Sequence, residues 1–191
     1  MCRSTSRCSE RAFLKQISIR RGGAGDTPAL ARLAALTFPL ACPPHTTAEA
    51  IATFIATNLS EERFDAYLAD AARDLFLAEG SDGAALGYTM LVAGEPADAD
   101  VAAALTLRPT VELSKCYVHP DAHGGGVAAA LMAASVDAAR TRGAAGLWLG
   151  VNQQNAKAQR FYAKSGFARV GVKRFLVGDR FEDDFVLERA L

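Results

Sequence analysis

Residues 123–129 read His-Gly-Gly-Gly-Val-Ala-Ala, and their chemistry lies in what they lack. Three consecutive glycines, Gly124, Gly125 and Gly126, put bare backbone at the start of an alanine-rich segment with no acid in its first turn. Where a strand passes through such a turn into a helix, unshielded N–H groups converge at the positive end of the helix dipole, which suits a phosphate or pyrophosphate. Side chains on the three residues would block close approach, and a glutamate in the first turn would repel the anion. The same glycines also serve as a plain tight connection. A Walker loop is excluded, since no lysine follows them. Gly124, Gly126 and Ala129 do match the G-x-G-x-x-A spacing of a dinucleotide-binding turn. The next strand, however, ends at Asn152-Gln153-Gln154 with no acid for a ribose, and the turn lies past mid-chain.

The elements that must hold this loop can be read on both sides of it. Ile17–Gly22 alternates as an opening strand, and Asp26 with Pro28 starts a helix. After the break at Pro43-Pro44, residues 48–59 and 60–72 read as two further helices, the second capped by Ser60. Strands at 74–80 and 84–95 flank an Asp82-Gly83 turn, a strong hairpin signal. Residues 98–109 fit either a loop with one helical turn or an irregular strand. Beyond them follow a strand at 111–118, the glycine loop, a helix at 126–143, a strand at 146–151, a helix at 155–166, a strand at 167–177, a turn at 178–180 and a strand at 185–191.

A chain of 191 residues, half of them hydrophobic, supports one domain with a full core. We expect that domain to span 17–191, with 1–16 as an extended or disordered tail. Lys+Arg and Asp+Glu stand at 21 each, so no overall basic field draws nucleic acid or an anionic membrane surface. Cys2, Cys8, Cys42 and Cys116 form no C-x-x-C pair and have no histidine at ligand spacing, so neither a disulfide framework nor a metal site is expected. They fit a reducing cytoplasm. No apolar run approaches a membrane span, and the N-terminal segment lacks the apolar middle of a signal peptide.

The loop and its flanks resemble the GNAT family of N-acetyltransferases, whose acetyl-coenzyme A loop is written [RQ]-x-x-G-x-[GA]. Here that register is His123-Gly124-Gly125-Gly126-Val127-Ala128, preceded by the strand ELSKCYVHP. The family's asparagine-to-tyrosine spacing appears downstream as NAKAQRFYAKSGF, giving Asn155, Tyr162, Gly166 and Phe167. LWLGVNQQN, FYAKSGF and RFLVGDRFEDDF, in that order, are similar to the PaiA-like polyamine acetyltransferases within the family. The chain departs from the pattern twice. His123 replaces the usual arginine or glutamine, and Gly150 stands about where many relatives carry a glutamate.

The resemblance implies an α/β (α+β) GNAT fold, a mixed, mostly antiparallel sheet of about seven strands with helices on both faces. It implies acetyl-CoA as co-substrate and direct attack by a primary amine of a small molecule, a polyamine among the candidates. A coenzyme-binding sensor with little turnover, or an acetyltransferase acting on protein N-termini or lysines, stays open beside it, as does a homodimer. By the same resemblance Tyr162 protonates the departing thiolate and Asn155 contacts pantetheine or phosphate. Backbone groups of Cys116, Tyr117 and Val118 pair with the pantetheine arm, and residues 123–129, Val127, Ala128 and Ala129 included, hold the phosphates. A lysine-like amine costs about 4 kcal/mol to deprotonate at pH 7. With Gly150 in place of an acid, Glu112 is the first candidate for the base, directly or through water, and His119 the second. Cys116 reads as a small buried hydrophobe, not a nucleophile. Acids at Glu61, Glu62, Asp65 and Asp70, and at Glu182–Asp184 in the final turn region, are expected to attract a polycation or simply to face solvent.

Overall fold

A computed structural model describes residues 17–178 and 180–191; the expected tail, with Cys2 and Cys8, lies outside them. The elements run β1 Ser18–Arg21, α1 Thr27–Ala41, α2 Ala48–Asn58, α3 Glu61–Ala69, β2 Arg73–Glu79, β3 Ala85–Ala93, α4 Ala99–Ala104, β4 Thr110–Val118, α5 Val127–Thr141, β5 Gly146–Asn152, α6 Ala156–Lys164, β6 Ala168–Val177 and β7 Arg180–Ala190. The seven strands form one sheet in the order β1-β2-β3-β4-β5-β7-β6. Its pairs are antiparallel except for β4 with β5.

Strand alternation divides the core between the two faces. Leu75, Leu77, Tyr88 and Met90 pack under Leu30, Leu33, Phe38 and Phe64 of α1 and α3. Phe76, Ala78, Leu91, Val111 and Leu113 pack under Leu131, Met132 and Val136 of α5. Asp74, 2% exposed, bridges Arg21 of β1 and Arg142 at the end of α5, each at 2.5 Å. The two guanidiniums outweigh its burial and hold its carboxyl below the usual range.

Some local readings are corrected. Asp26 does not cap α1; its carboxylate accepts from Gly23 N–H at 2.8 Å and pairs with Arg20. Ser60 does cap α3, accepting from Arg63 N–H. The ambiguous stretch forms the short helix α4, capped by Asp98. β7 starts at Arg180, so Glu182–Asp184 lie within a strand and not in a turn.

Two irregularities shape the middle of the sheet. β4 and β5 pair only where Thr110, Val111 and Glu112 meet Gly146, Leu147 and Trp148. Past that point β5 follows β7 as far as Asn152 opposite Asp184, whereas β4 follows β3 as far as Val118 opposite Gly87. The sheet forks, and the β4 backbone facing the fork lacks a strand partner. Ser114 is also skipped by the β3–β4 register, in which Leu91 meets Leu113 and Met90 meets Lys115. This bulge changes the parity of β4. Val111 and Leu113 face the α5 core before it, and Cys116 and Val118 pack there after it. Lys115 is thereby turned to the opposite face, over the Tyr67 ring.

Candidate active site

Two cavities open at the fork and share Cys116, Tyr117, Asn155, Ala158 and Tyr162. One, of about 420 Å³, lies against the glycine loop. The other, of about 250 Å³, lies on the face covered by α1 and α2.

The loop cavity is built largely of backbone and small side chains: Gly124, Gly126, Val127, Ala128 and Ala129, with Val118 at the strand end. Gly124 and Gly126 have φ of 79° and 84°, a region costly for any L side chain. A Cβ at either would meet no protein atom within 4 Å. Gly126 is the N-cap of α5 and supplies no side chain to its first N–H groups, and the first turn carries no acid. That combination fits a bound phosphate or pyrophosphate. Gly125 does not line the cavity; its Cβ would approach Ala122 O at 3.3 Å.

His123 makes a different contact from the one its position suggests. Its Nε2 lies 3.2 Å from Val118 O and its Nδ1 3.0 Å from Lys157 Nζ. With Nε2–H donating to the carbonyl, Nδ1 accepts from the ammonium, and Lys157 in the first turn of α6 is fixed beside the loop. Lys157 lines the cavity as well. Sequence reading missed it, although its place two residues after Asn155 was a signal. Asn155 caps α6, its Oδ1 accepting from Ala158 N–H at 3.0 Å, and faces both cavities. His119 lines neither; its Nδ1 accepts from Asp121 N–H.

Tyr162 stands where the cavities meet, packed edge-on to Phe167 at 5.8 Å between centroids. Burial, then the neighbouring Cys116 and Tyr117, raises its phenol well above 10. It therefore keeps its proton at neutral pH and has one to give. Burial pushes the Cys116 thiol up to about 12, against a hydrogen bond with Tyr162. An inert thiol is the result, as expected for Cys116.

The second cavity is walled by side chains from many elements. Phe38 and Phe54 stack at 4.3 Å, with Phe175 edge-on to Phe54. Charged groups gather opposite them: Glu112 and Lys115 from β4, Lys173 from β6, Glu182 and Asp184 from β7. Burial raises Glu112, offset by Lys173, Lys115 and Arg73, and pulls Lys115 down to about 8. Glu182 and Asp184 are only 6% and 7% exposed and share one face of β7, with Asp183 on the other. His45 Nε2 reaches Glu182 at 2.6 Å. The acids of α3 are elsewhere: Asp65 bonds Thr27, Asp70 bonds Arg73, and Glu61 and Glu62 line neither cavity. A Cβ on Gly150 would lie 2.6 Å from Lys173 Cε and 3.2 Å from Asp184 Oδ2, so those two side chains fill the place of an acid on β5. Among the described residues, no group of three or more potential ligands could hold a metal, and no helix is long and apolar enough to cross a membrane.

The sequence profile of the acetyltransferase (GNAT) family matches residues 39–167. An uncharacterized N-acetyltransferase of Mycobacterium tuberculosis is 46% identical over 166 residues, covering 87% of this chain and 98% of that protein. Among solved structures, the PaiA N-acetyltransferase of Thermoplasma acidophilum in complex with coenzyme A superposes with a TM-score of 0.73 at 19% identity, over 92% of this chain and 99% of that one. The ribosomal-protein-S18-alanine N-acetyltransferase of Escherichia coli gives 0.65 at 20% identity, over 92% and 94%. These two share the fold under different names, so the fold alone does not choose an acceptor.

Proposed function

Because the chain belongs to the acetyltransferase (GNAT) family, we propose that its two joined cavities divide the reaction, one for acetyl-CoA and one for the primary amine of a small molecule. The chain is an N-acetyltransferase, and acetyl-CoA is its co-substrate. Bound acetyl-CoA supplies an acetyl group activated as a thioester. In this reading the N–H groups of Gly124 and of residues 126–129 receive the phosphates, and Lys157, steadied by His123, adds the cation that position 123 does not carry. The fork-facing backbone of Cys116, Tyr117 and Val118 binds the pantetheine arm as an added strand would and polarises the thioester oxygen. Asn155 anchors the same arm. Tyr162 gives its proton to the leaving sulfur.

The amine occupies the acid-lined cavity, where a carboxylate takes its proton. Glu112, at the base of the fork, is the candidate on the strand that leads to the loop. A cavity of about 250 Å³ with an aromatic wall, in which the carboxylates of Glu112, Glu182 and Asp184 outnumber Lys115 and Lys173, favours a small cation over a folded protein surface. A polyamine fits that description and the PaiA-like motifs. A single domain spanning 17–191 carries the activity, and a reducing cytoplasm is its proposed setting. The observation that carries the reading is the fork, which brings Tyr162 into both cavities. The test is coenzyme A release from acetyl-CoA with polyamines, amino acids, aminoglycosides and peptide N-termini. Turnover of a small amine is expected. Acetylation of peptides alone would overturn the small-molecule reading, and spermidine left unacetylated beside an active amine would remove the polyamine.

A further inference from the structure

Four carboxylates are buried among the described residues: Asp74, Glu182, Asp184 and Glu188. Three have direct partners. Asp74 has Arg21 and Arg142, Glu182 has His45, and Glu188 accepts from the N–H groups of Thr106 and Leu107 and from the Thr106 hydroxyl. Asp184, 7% exposed, has neither a hydrogen bond nor an ion pair within the described residues, though its carboxylate faces the acceptor cavity. A nearly buried carboxylate that no protein group pairs and that opens to a cavity is placed for a ligand's donor. Its position agrees. Asp184 lies opposite Asn152, beyond the fork and within electrostatic reach of Tyr117, whereas Glu112 lies opposite Trp148, where β4 and β5 are still joined.

Resting on the function proposed above, we infer that Asp184 binds the ammonium group of the acceptor and takes its proton. One proton passes from the nitrogen to the Asp184 carboxylate and on to solvent, leaving a lone pair for attack. The C–N bond forms at the thioester carbon and the C–S bond breaks. Tyr162 protonates the sulfur, and the second proton lost by the nitrogen restores the phenol. Lys173 neighbours both Glu112 and Asp184, so on this assignment the role of base passes from Glu112 to Asp184 and Glu112 acts through Lys173 as a positioning residue. The groups around Asp184 are Lys173 from β6, Glu182 and Asp183 from its own strand, Tyr117, Glu112 and Lys115 from β4, and His45 through Glu182. Burial outweighs Lys173 and holds the carboxyl up at about 6, suiting a base at neutral pH.

Asp184→Asn keeps the shape and removes the base, and Glu112→Gln serves as its comparison. The acetyl-transfer kcat/KM of Asp184→Asn should fall by about 10² to 10³ with coenzyme A affinity unchanged, and the acid limb near pH 6 should disappear. Glu112→Gln should keep that limb. Stability gives a readout apart from activity. Because the folded carboxyl titrates above its ordinary 3.8, ionising it destabilises the fold as pH rises from 3.8 to about 6. Asp184→Asn should therefore melt about 5 °C above wild type at pH 8 and level with it at pH 4. A rate within threefold of wild type, or a lower melting temperature at pH 8, overturns the inference. Wild type that binds coenzyme A but acetylates no amine defeats the proposed function, and this assignment with it.

Discussion

The two cavities are made of opposite materials. On its glycine-loop side the first cavity presents backbone N–H groups and small side chains of Gly124 and residues 126–129, with Lys157 brought alongside, while α1, β4 and α6 close its other sides. The cavity proposed for the acceptor presents large charged and aromatic side chains from α1, α2, β4, α6, β6 and β7. On the proposed assignment the loop meets a pyrophosphate that is the same in every acetyl-CoA, so a backbone cradle suffices, and its tolerance of side-chain change is a benefit. An acceptor must be told apart from other amines, and only side chains with particular shapes and charges do that. One region should break when its backbone is altered, the other when its side chains are.

The largest effect is expected at the boundary. Tyr162→Phe should lower kcat by about 10² to 10⁴ while the affinity for acetyl-CoA, measured by equilibrium binding, stays near wild type. An unchanged kcat with chemistry rate-limiting would assign Tyr162 to packing. Next is Gly126→Val. It forces a branched side chain onto φ of 84° and pushes it into the cavity, so coenzyme A affinity should fall about 100-fold in a calorimetric titration. Wild-type affinity in this variant would dissolve the contrast between backbone and side chain.

On the acceptor side, Glu182→Gln should raise the amine KM about tenfold, because the lost carboxylate is nearly buried beside His45. Asp183→Asn should leave KM within twofold, since Asp183 faces away from the cavity. Equal effects would make the acidity a diffuse field instead of a placed group. The smallest effects belong to the loop's side chains. Lys157→Met should weaken coenzyme A about fivefold, with binding less salt-sensitive and pantetheine unaffected. His123→Ala should weaken it about twofold. A loss for pantetheine equal to that for coenzyme A would make Lys157 structural.

Sequence legibility followed the same division. The loop, the helix behind it and the Asn155–Tyr162 pair are local patterns, and Gly124, Gly126, Asn155 and Tyr162 line one cavity. Cys116 packs half-buried against the α5 core. The acceptor cavity was illegible because its members are far apart in sequence and break the rules used to find strands. Glu182 and Asp184 resembled solvated turn residues, because alternation arguments assume that the inward face of a strand is apolar. Here that face borders a cavity, and the inward residues are acids. Lys157 escaped for a related reason. Only the fold brings it beside His123, 34 positions earlier in the chain. α4 was ambiguous because its six residues are too few to show a period.

Ser114 has a consequence larger than its side chain. Because it counts in the chain but not in the pairing with β3, it divides β4 into two halves of opposite handedness toward the core. Pairing that one residue with Met90, with no bulge, would leave every chemical group in the strand's end segment intact and invert where each one points. Lys115 would enter the apolar layer beneath α5, and Cys116 and Val118 would turn to the amine's side. The identity of the two compartments is thus written as an odd or even number, set by whether Ser114 is counted in the pairing.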